Sequence, residues 1–334
     1  MSEDELLREV AAAVGLREGT AGVRDVVRAT ARFEPVAVRK LSRATALPVP
    51  IVSAICNELR KRDVVARERP VRLTLLGRAL FAQGRGDVVE VWCEACDGRE
   101  LVIPSALGPA ARRLAAATTR APRPRFDLDQ AHCDVDTKVR RVLALHAADA
   151  IDGRKVLLLG DDDLVSVAIA RLTGSLDLRP ARVVVLDVHG RLLAFLRGEL
   201  ARAPFRWEVR RHDLRDPLPQ SLCGTVDTVF TDPPYTVAGA ELFLSRAAEA
   251  VAGDRRGDVF FSFGSRSPDE ELRVQRAITA MGFVTKRLVR DFNEYVGAGT
   301  LGGVSHLYHL ASTPSTRPLI AARYEGPLYT ADRR

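Results

Sequence analysis

The chain has 334 residues, 46% of them apolar, enough to bury one large core and a smaller one beside it. No run of 18 apolar residues offers a membrane span, and the opening MSEDELLREV lacks the apolar stretch of a secretory leader; five cysteines in no repeating framework fit a reducing compartment, so a cytoplasmic location is expected. The net charge of +7 is uneven, +6 up to Arg123 and +1 beyond it, which concentrates any affinity for polyanions in the first third.

That first third is rich in Ala and Arg at helical spacing. A helix, a short helix entered near Glu34-Pro35, a Pro-punctuated turn at Leu47-Pro48 and a helix over 50–62 precede VVARERPVRLTLLG, which reads as two short strands. The order suits a winged-helix-like domain over 1–123. Its DNA-binding reading puts Arg60, Lys61 and Arg62 near a phosphate backbone. These three close the helix, however, and its first turns, VPIVSAICNE, are too apolar to read base edges, so a dimerisation or lid module is preferred. Cys93 and Cys96 have the spacing of half a zinc site without a second pair nearby, and no metal is expected. Pro122 and Pro124 in TRAPRPRF (119–126) mark the linker.

From 124 to 334 the chain alternates short apolar runs with helix-length segments. KVLLLG (155–160), RVVVLDV (182–188), FRWEVRRHDL (205–214), VDTVFTDPPY (226–235) and GDVFFSFG (257–264) are predicted strands, followed by the apolar runs GFVTKRLVRDF and VSHLYHLAS. Such alternation predicts a Rossmann-like, doubly wound α/β domain with ligands at the carboxyl ends of the strands. Gly160, Asp161, Asp162, Asp163, Asp187, Asp213 and Asp232 to Tyr235 all fall there.

Asp187 closes the second strand where nucleotide-binding domains keep an acid for ribose hydroxyls, and Asp213 closes the third, where an acid can meet an adenine amino group. Either alone could be a surface acid or a cap; in register they favour an adenosyl group. Neither G-x-G-x-x-G nor a P-loop occurs, and three carboxylates at 161–163 would repel a pyrophosphate but not a sulfonium. TDPPYT (231–236) looks like the Asp-Pro-Pro-Tyr box of amino-group methyltransferases, where the acid and a Pro carbonyl accept hydrogen bonds from the target nitrogen. An amine attacks a sulfonium carbon only with a free lone pair, so a site must hold it deprotonated and aimed, which Asp232 and the Pro233 carbonyl can do. The triple Asp then suits a ligand with several protonated nitrogens.

The pairing of G-D-D-D at 160–163 with D-P-P-Y-T at 232–236 resembles the branched-chain polyamine synthases, aminopropyltransferases that make N4-bis(aminopropyl)spermidine. The similarity continues in FDLDQAHCDVDT (126–137), LFLSRAAEA (242–250) and DFNEYVGAGTLGGVSHLYHL (291–310). The resemblance implies that decarboxylated S-adenosylmethionine passes its aminopropyl group to the secondary nitrogen of spermidine, releasing methylthioadenosine. On this reading Asp162, Asp232 and Tyr235 are catalytic, with Asp162 the general base or the acid that orients the amine. Gly160, Asp161, Asp187 and Asp213 hold the donor; Asp163, Pro233 and Pro234 meet the acceptor, with Asp163 also a candidate cap of the following helix. The expected partner is a polyamine, with neither membrane nor nucleic acid, and a homodimer could form through the N-terminal domain. YVGAGTLGG (295–303) and YEGPLYT (324–330) are candidate lids. An S-adenosylmethionine-dependent amino-group methyltransferase acting on nucleic acid and a ligand-sensing winged-helix regulator are the alternatives. The first would keep glycines where GDDD stands, and the second would not need an intact T-D-P-P-Y-T.

Overall fold

A computed structural model of the chain describes residues 2–81, 93, 95–96, 98–251, 257–264, 267–296 and 303–333. It divides into two units, the first formed chiefly by residues up to 92 and the second chiefly by those from 93 onward.

In the first unit, helices α1 (Glu3–Val14), α2 (Gly19–Phe33), α3 (Val38–Thr45), α4 (Val49–Lys61) and α5 (Leu75–Leu80) bury one apolar cluster that includes Leu7, Val10, Val26, Leu41, Val52, Ile55 and Leu59. α1 starts in a capping box, the Glu5 backbone N–H donating to Ser2 Oγ and the Ser2 N–H to the Glu5 carboxylate. The two expected strands shrink to single antiparallel bridges, Val65 with Leu73 and Val36 with Val71; Pro70 lies between them and has no N–H to extend a ladder. The cationic end of α4 is engaged locally. Lys61 and Arg62 pair with Glu58 at 2.6 and 2.7 Å, Arg62 also reaches Glu9 at 3.3 Å, and Arg60 donates to Asn57 at 2.9 Å.

The second unit begins before the expected linker. Helix α6 (Gly108–Thr118) buries Ala110, Leu114 and Ala117 in the same cluster as Val139, Val142 and Leu145 of α7 (Val135–Ala147) and Leu172 of α8 (Val165–Leu176), so 93–123 belong with the sheet and not with the N-terminal helices.

Strands β1 (Lys155–Leu159), β2 (Arg182–Asp187), β3 (Trp207–Arg211), β4 (Thr228–Thr231), β5 (Asp258–Phe263), β6 (Val284–Glu294) and β7 (Val304–Ala311) form one sheet in the order β3-β2-β1-β4-β5-β7-β6. β1 to β5 pair in parallel and β7 runs antiparallel to β5. The central strands β1, β2, β4 and β5 are buried on both faces because both faces are covered, whereas β3 and β6 are partly exposed. Val156, Leu158, Val183 and Val185 enter the cluster shared with α6, α7, α8 and α9 (Gly190–Leu200). Leu157, Leu159, Val184 and Leu186 enter the other, with α10 (Val237–Val251) and residues 274–278 of α11 (Pro268–Ala280). Strand order reverses at β1, between β2 and β4, so the crevice beyond the carboxyl ends of β1 and β4 is the expected ligand site.

Candidate active site

Two turns meet at that crevice. After β1, Gly160 takes φ +75, a left-handed conformation glycine adopts without strain, and a Cβ there would touch nothing within 4 Å. Leu164 is also left-handed, φ 58, as α8 begins. After β4, prolines end the strand at Thr231, whose hydroxyl ties β4 to β1 by donating to the Leu159 carbonyl at 3.0 Å. Thr236 Oγ1 accepts from the Gly239 N–H at 2.8 Å and donates to the Leu328 carbonyl at 2.8 Å, so the last residue of the D-P-P-Y-T box fastens the start of α10 and the C-terminal segment. Gly239 is required by packing: a Cβ would lie 2.4 Å from the Pro234 carbonyl oxygen, which already accepts from Thr236 N at 2.7 Å. Of the two proline carbonyls, that of Pro233 therefore remains the candidate acceptor for a ligand.

An open cleft with about 650 Å³ of empty space is lined by Gly160, Asp162, Asp187, Asp213 and the Asp232–Tyr235 turn, with Leu128–Ala131, His212, Phe243 and Tyr329 completing its wall. Eight of the ten residues singled out from the sequence thus share one cleft: Gly160, Asp162, Asp187, Asp213, Asp232, Pro233, Pro234 and Tyr235.

The other two, Asp161 and Asp163, are 2% and 3% exposed and do not line it. Asp161 caps α8: its carboxylate accepts from Val165 N at 2.6 Å, from Ser166 N at 3.3 Å and from the Ser166 hydroxyl. The cap expected from Asp163 comes from Asp161 instead, and the carboxylate expected to face the donor is turned into the helix. Asp163 accepts from Cys133 N at 2.6 Å and from Arg141 Nη1 at 2.5 Å. Of the three successive carboxylates only Asp162 addresses the cleft. Asp161 ends on a helix terminus and Asp163 on a guanidinium, in a turn flanked by left-handed backbone at Gly160 and Leu164.

Arg141 was assigned no role from the sequence. It is fully buried on α7, its Nη1 bound to Asp163, its Nη2 to Asp232 Oδ2 at 2.6 Å and to Tyr295 Oη at 3.2 Å, its Nε to Asn293 Oδ1 at 2.8 Å. Tyr295 Oη donates to Asp232 Oδ2 at 2.6 Å, and its ring stands edge-on to Tyr235 with centroids 6.0 Å apart. The readable signal was in α7, where Lys138 and Arg141 fall in register with the core positions Val142 and Leu145; a cation on an apolar stripe needs a buried partner.

Charge in this cluster follows from burial and neighbours. Burial lifts the Asp161 carboxyl to about 7 against the pull of the Ser166 and Val165 donors. Burial likewise lifts Asp232 to about 7; Arg141 opposes it and Asp163 adds to it. Asp162 is pushed well above the usual carboxylate range by burial and then by Asp163, Asp187 and Asp232. Burial alone would raise Asp163 too, but Arg141 and Lys138 hold it below the ordinary range. Asp187 is raised by burial, while its oxygens accept from His189 N at 2.7 Å and Asp161 N at 3.2 Å. Carboxyls poised near neutrality beside a cleft can take or return a proton.

The C-terminal candidate lid is tied down: Tyr324 N donates to the Arg215 carbonyl at 2.8 Å, and Thr330 donates to Asp129 Oδ2 through both N and Oγ1 at 2.9 Å. Most of the other, 297–302, lies outside the described residues. Cys93 is exposed and Cys96 buried, and among the described residues no three metal-ligating side chains gather. Among the same residues no helix is long and apolar enough to cross a membrane.

A sequence profile for the branched-chain polyamine synthase A C-terminal domain matches residues 110–311, more than half of the chain. The N(4)-bis(aminopropyl)spermidine synthase of Thermococcus kodakarensis is 33% identical over 257 residues, 75% of this chain and 72% of that one. The enzyme of the same name from Thermus thermophilus is 32% identical over 299 residues, 88% and 82% of the two chains. A crystal structure of the branched-chain polyamine synthase from Thermus thermophilus, in complex with N4-aminopropylspermidine and 5'-methylthioadenosine, superposes with a TM-score of 0.76 at 25% identity and covers 98% of each chain.

Proposed function

Because the chain belongs to the branched-chain polyamine synthase family and is an aminopropyltransferase, we propose that it moves the aminopropyl group of decarboxylated S-adenosylmethionine to the secondary amine of spermidine. The amine lone pair attacks the methylene carbon next to the sulfonium, a C–N bond forms, the C–S bond breaks with its pair going to sulfur, and methylthioadenosine leaves. The new ammonium gives up one proton. The observation that carries this reading is that Asp162, the Asp232–Tyr235 turn, Asp187 at the end of β2 and Asp213 just past β3 line one cleft. Asp187 and Asp213 would hold ribose and adenine, Asp232 and the Pro233 carbonyl would orient the acceptor nitrogen, and Asp162, which burial and its acidic neighbours keep protonated in the free cleft, would take the amine proton once the bound cations have displaced its own. Tyr235 would pack against the acceptor chain.

The donor lacks the carboxylate of S-adenosylmethionine and presents an ammonium, so a cleft lined by Asp162, Asp187, Asp213 and Asp232 favours it. The relatives' names and the product held in the related crystal structure support the same donor and acceptor. We propose further that the first unit is winged-helix-like and serves assembly, since the cations ending α4 are already matched by Glu58 and Glu9. Titration calorimetry with methylthioadenosine, decarboxylated S-adenosylmethionine and S-adenosylmethionine tests the donor, and mass analysis of products tests the acceptor. Tighter binding of S-adenosylmethionine with methylated product would overturn the reading.

A further inference from the structure

We propose that Asp163 and Asp232 form a carboxyl pair carrying one proton between them, and that Arg141 is the positioning residue that assigns this proton to Asp232. One guanidinium bridges the two, Nη1 to Asp163 at 2.5 Å and Nη2 to Asp232 at 2.6 Å. Its nitrogens share a carbon, so the two carboxyls lie side by side. Their surroundings differ. Asp163 also accepts from the Cys133 N–H, and Lys138 and His132 lie on its side. On Asp232, Arg141 and Tyr295 both donate to Oδ2, while Oδ1 is buried and receives no donor. A fully ionised pair would leave that oxygen unsatisfied beside a second carboxylate. A proton on Asp232, directed to Asp163, removes both penalties, as in other carboxyl pairs that share one proton.

The inference rests on the proposed reaction for its consequence. Asp232 would be half titrated near neutrality, and a polyamine cation entering beside it would expel the proton and leave a carboxylate to orient the attacking nitrogen. The groups facing Asp232 are Arg141 from α7, Asp162 and Asp163 from the turn after β1, Tyr295 from the end of β6 and Tyr235 on its own turn.

Two near-isosteric variants give opposite signs. Asp163→Asn removes the competing charge and leaves Arg141 to Asp232 alone, so the acid limb of kcat should move down by roughly one to three pH units. Tyr295→Phe removes a donor to the carboxylate form, so the limb should move up. A merely structural role lowers thermal stability and leaves the limb in place, and an unmoved limb in both variants, or a shift in one common direction, overturns the proposal. Infrared titration of the protonated carboxyl band, compared with Asp232→Asn, reads the same pair without turnover. A difference band, wild type minus Asp232→Asn, that is absent at pH 6 overturns the proposal; a difference band that titrates near neutrality and shifts in Asp163→Asn supports it. If it does so while the wild type forms no aminopropylated product, the functional reading alone has failed.

Discussion

Replacing Asp161 by Ala and, separately, Asp162 by Ala should divide the triple-Asp turn into a structural and a functional half. Asp161 caps α8 through Val165 N, Ser166 N and the Ser166 hydroxyl. Loss of a capping side chain typically costs about 1 kcal/mol, within a range of roughly 0.5–2. Ser166 is fully buried, and leaving its hydroxyl without a partner adds about 1–3 kcal/mol. Part is returned because a desolvated carboxyl is removed, so we expect about 2–4 kcal/mol in total. Asp162, half-buried and crowded by Asp163, Asp187 and Asp232, caps no helix, and its removal should leave stability unchanged or raise it, since a desolvated carboxyl among like charges is lost. Urea unfolding followed by circular dichroism, at constant slope, measures both. An unchanged midpoint for Asp161→Ala, or an equal loss for Asp162→Ala, would refute the assignment of the cap.

Asp162→Asn keeps shape and removes charge, and turnover at saturating donor and spermidine should fall about 10²–10⁴-fold if it takes the amine proton; near-normal turnover and pH dependence would leave Asp232 as the group that activates the amine. Asp187→Asn should weaken methylthioadenosine binding with little effect on turnover, read by calorimetry beside initial rates, since ribose contacts are equal in ground and transition states. The folded pKa of Asp161, about 7, lies above its unfolded value of about 3.9. Its contribution is therefore fully present below pH 4 and lost as pH rises toward 7, and Asp161→Asn should flatten the decline in Tm between pH 5 and 8 relative to wild type.

Local pattern was enough for the strands of the sheet. Runs of Val and Leu short enough for strands, separated by helix-length segments, are buried on both faces in a parallel sheet covered by helices, and carboxyl-end residues then converge without knowledge of any contact. The motifs at 160–163 and 232–236 were legible for the same reason, since each sits where a strand ends. The sequence was silent on which carboxylate points where. That depends on partners far along the chain: Arg141 lies 91 residues from Asp232 and 154 from Tyr295. A cation at position 141 has no local reason to be buried, and only the packing of α7 against the sheet brings it between two acids. Charge composition is equally silent on which elements pack together, whereas α6 buries its apolar face against α7 and α8. Periodicity reports which faces of an element avoid water; the choice of partner across the core is made in three dimensions, where burial raises the cost of every unmatched charge.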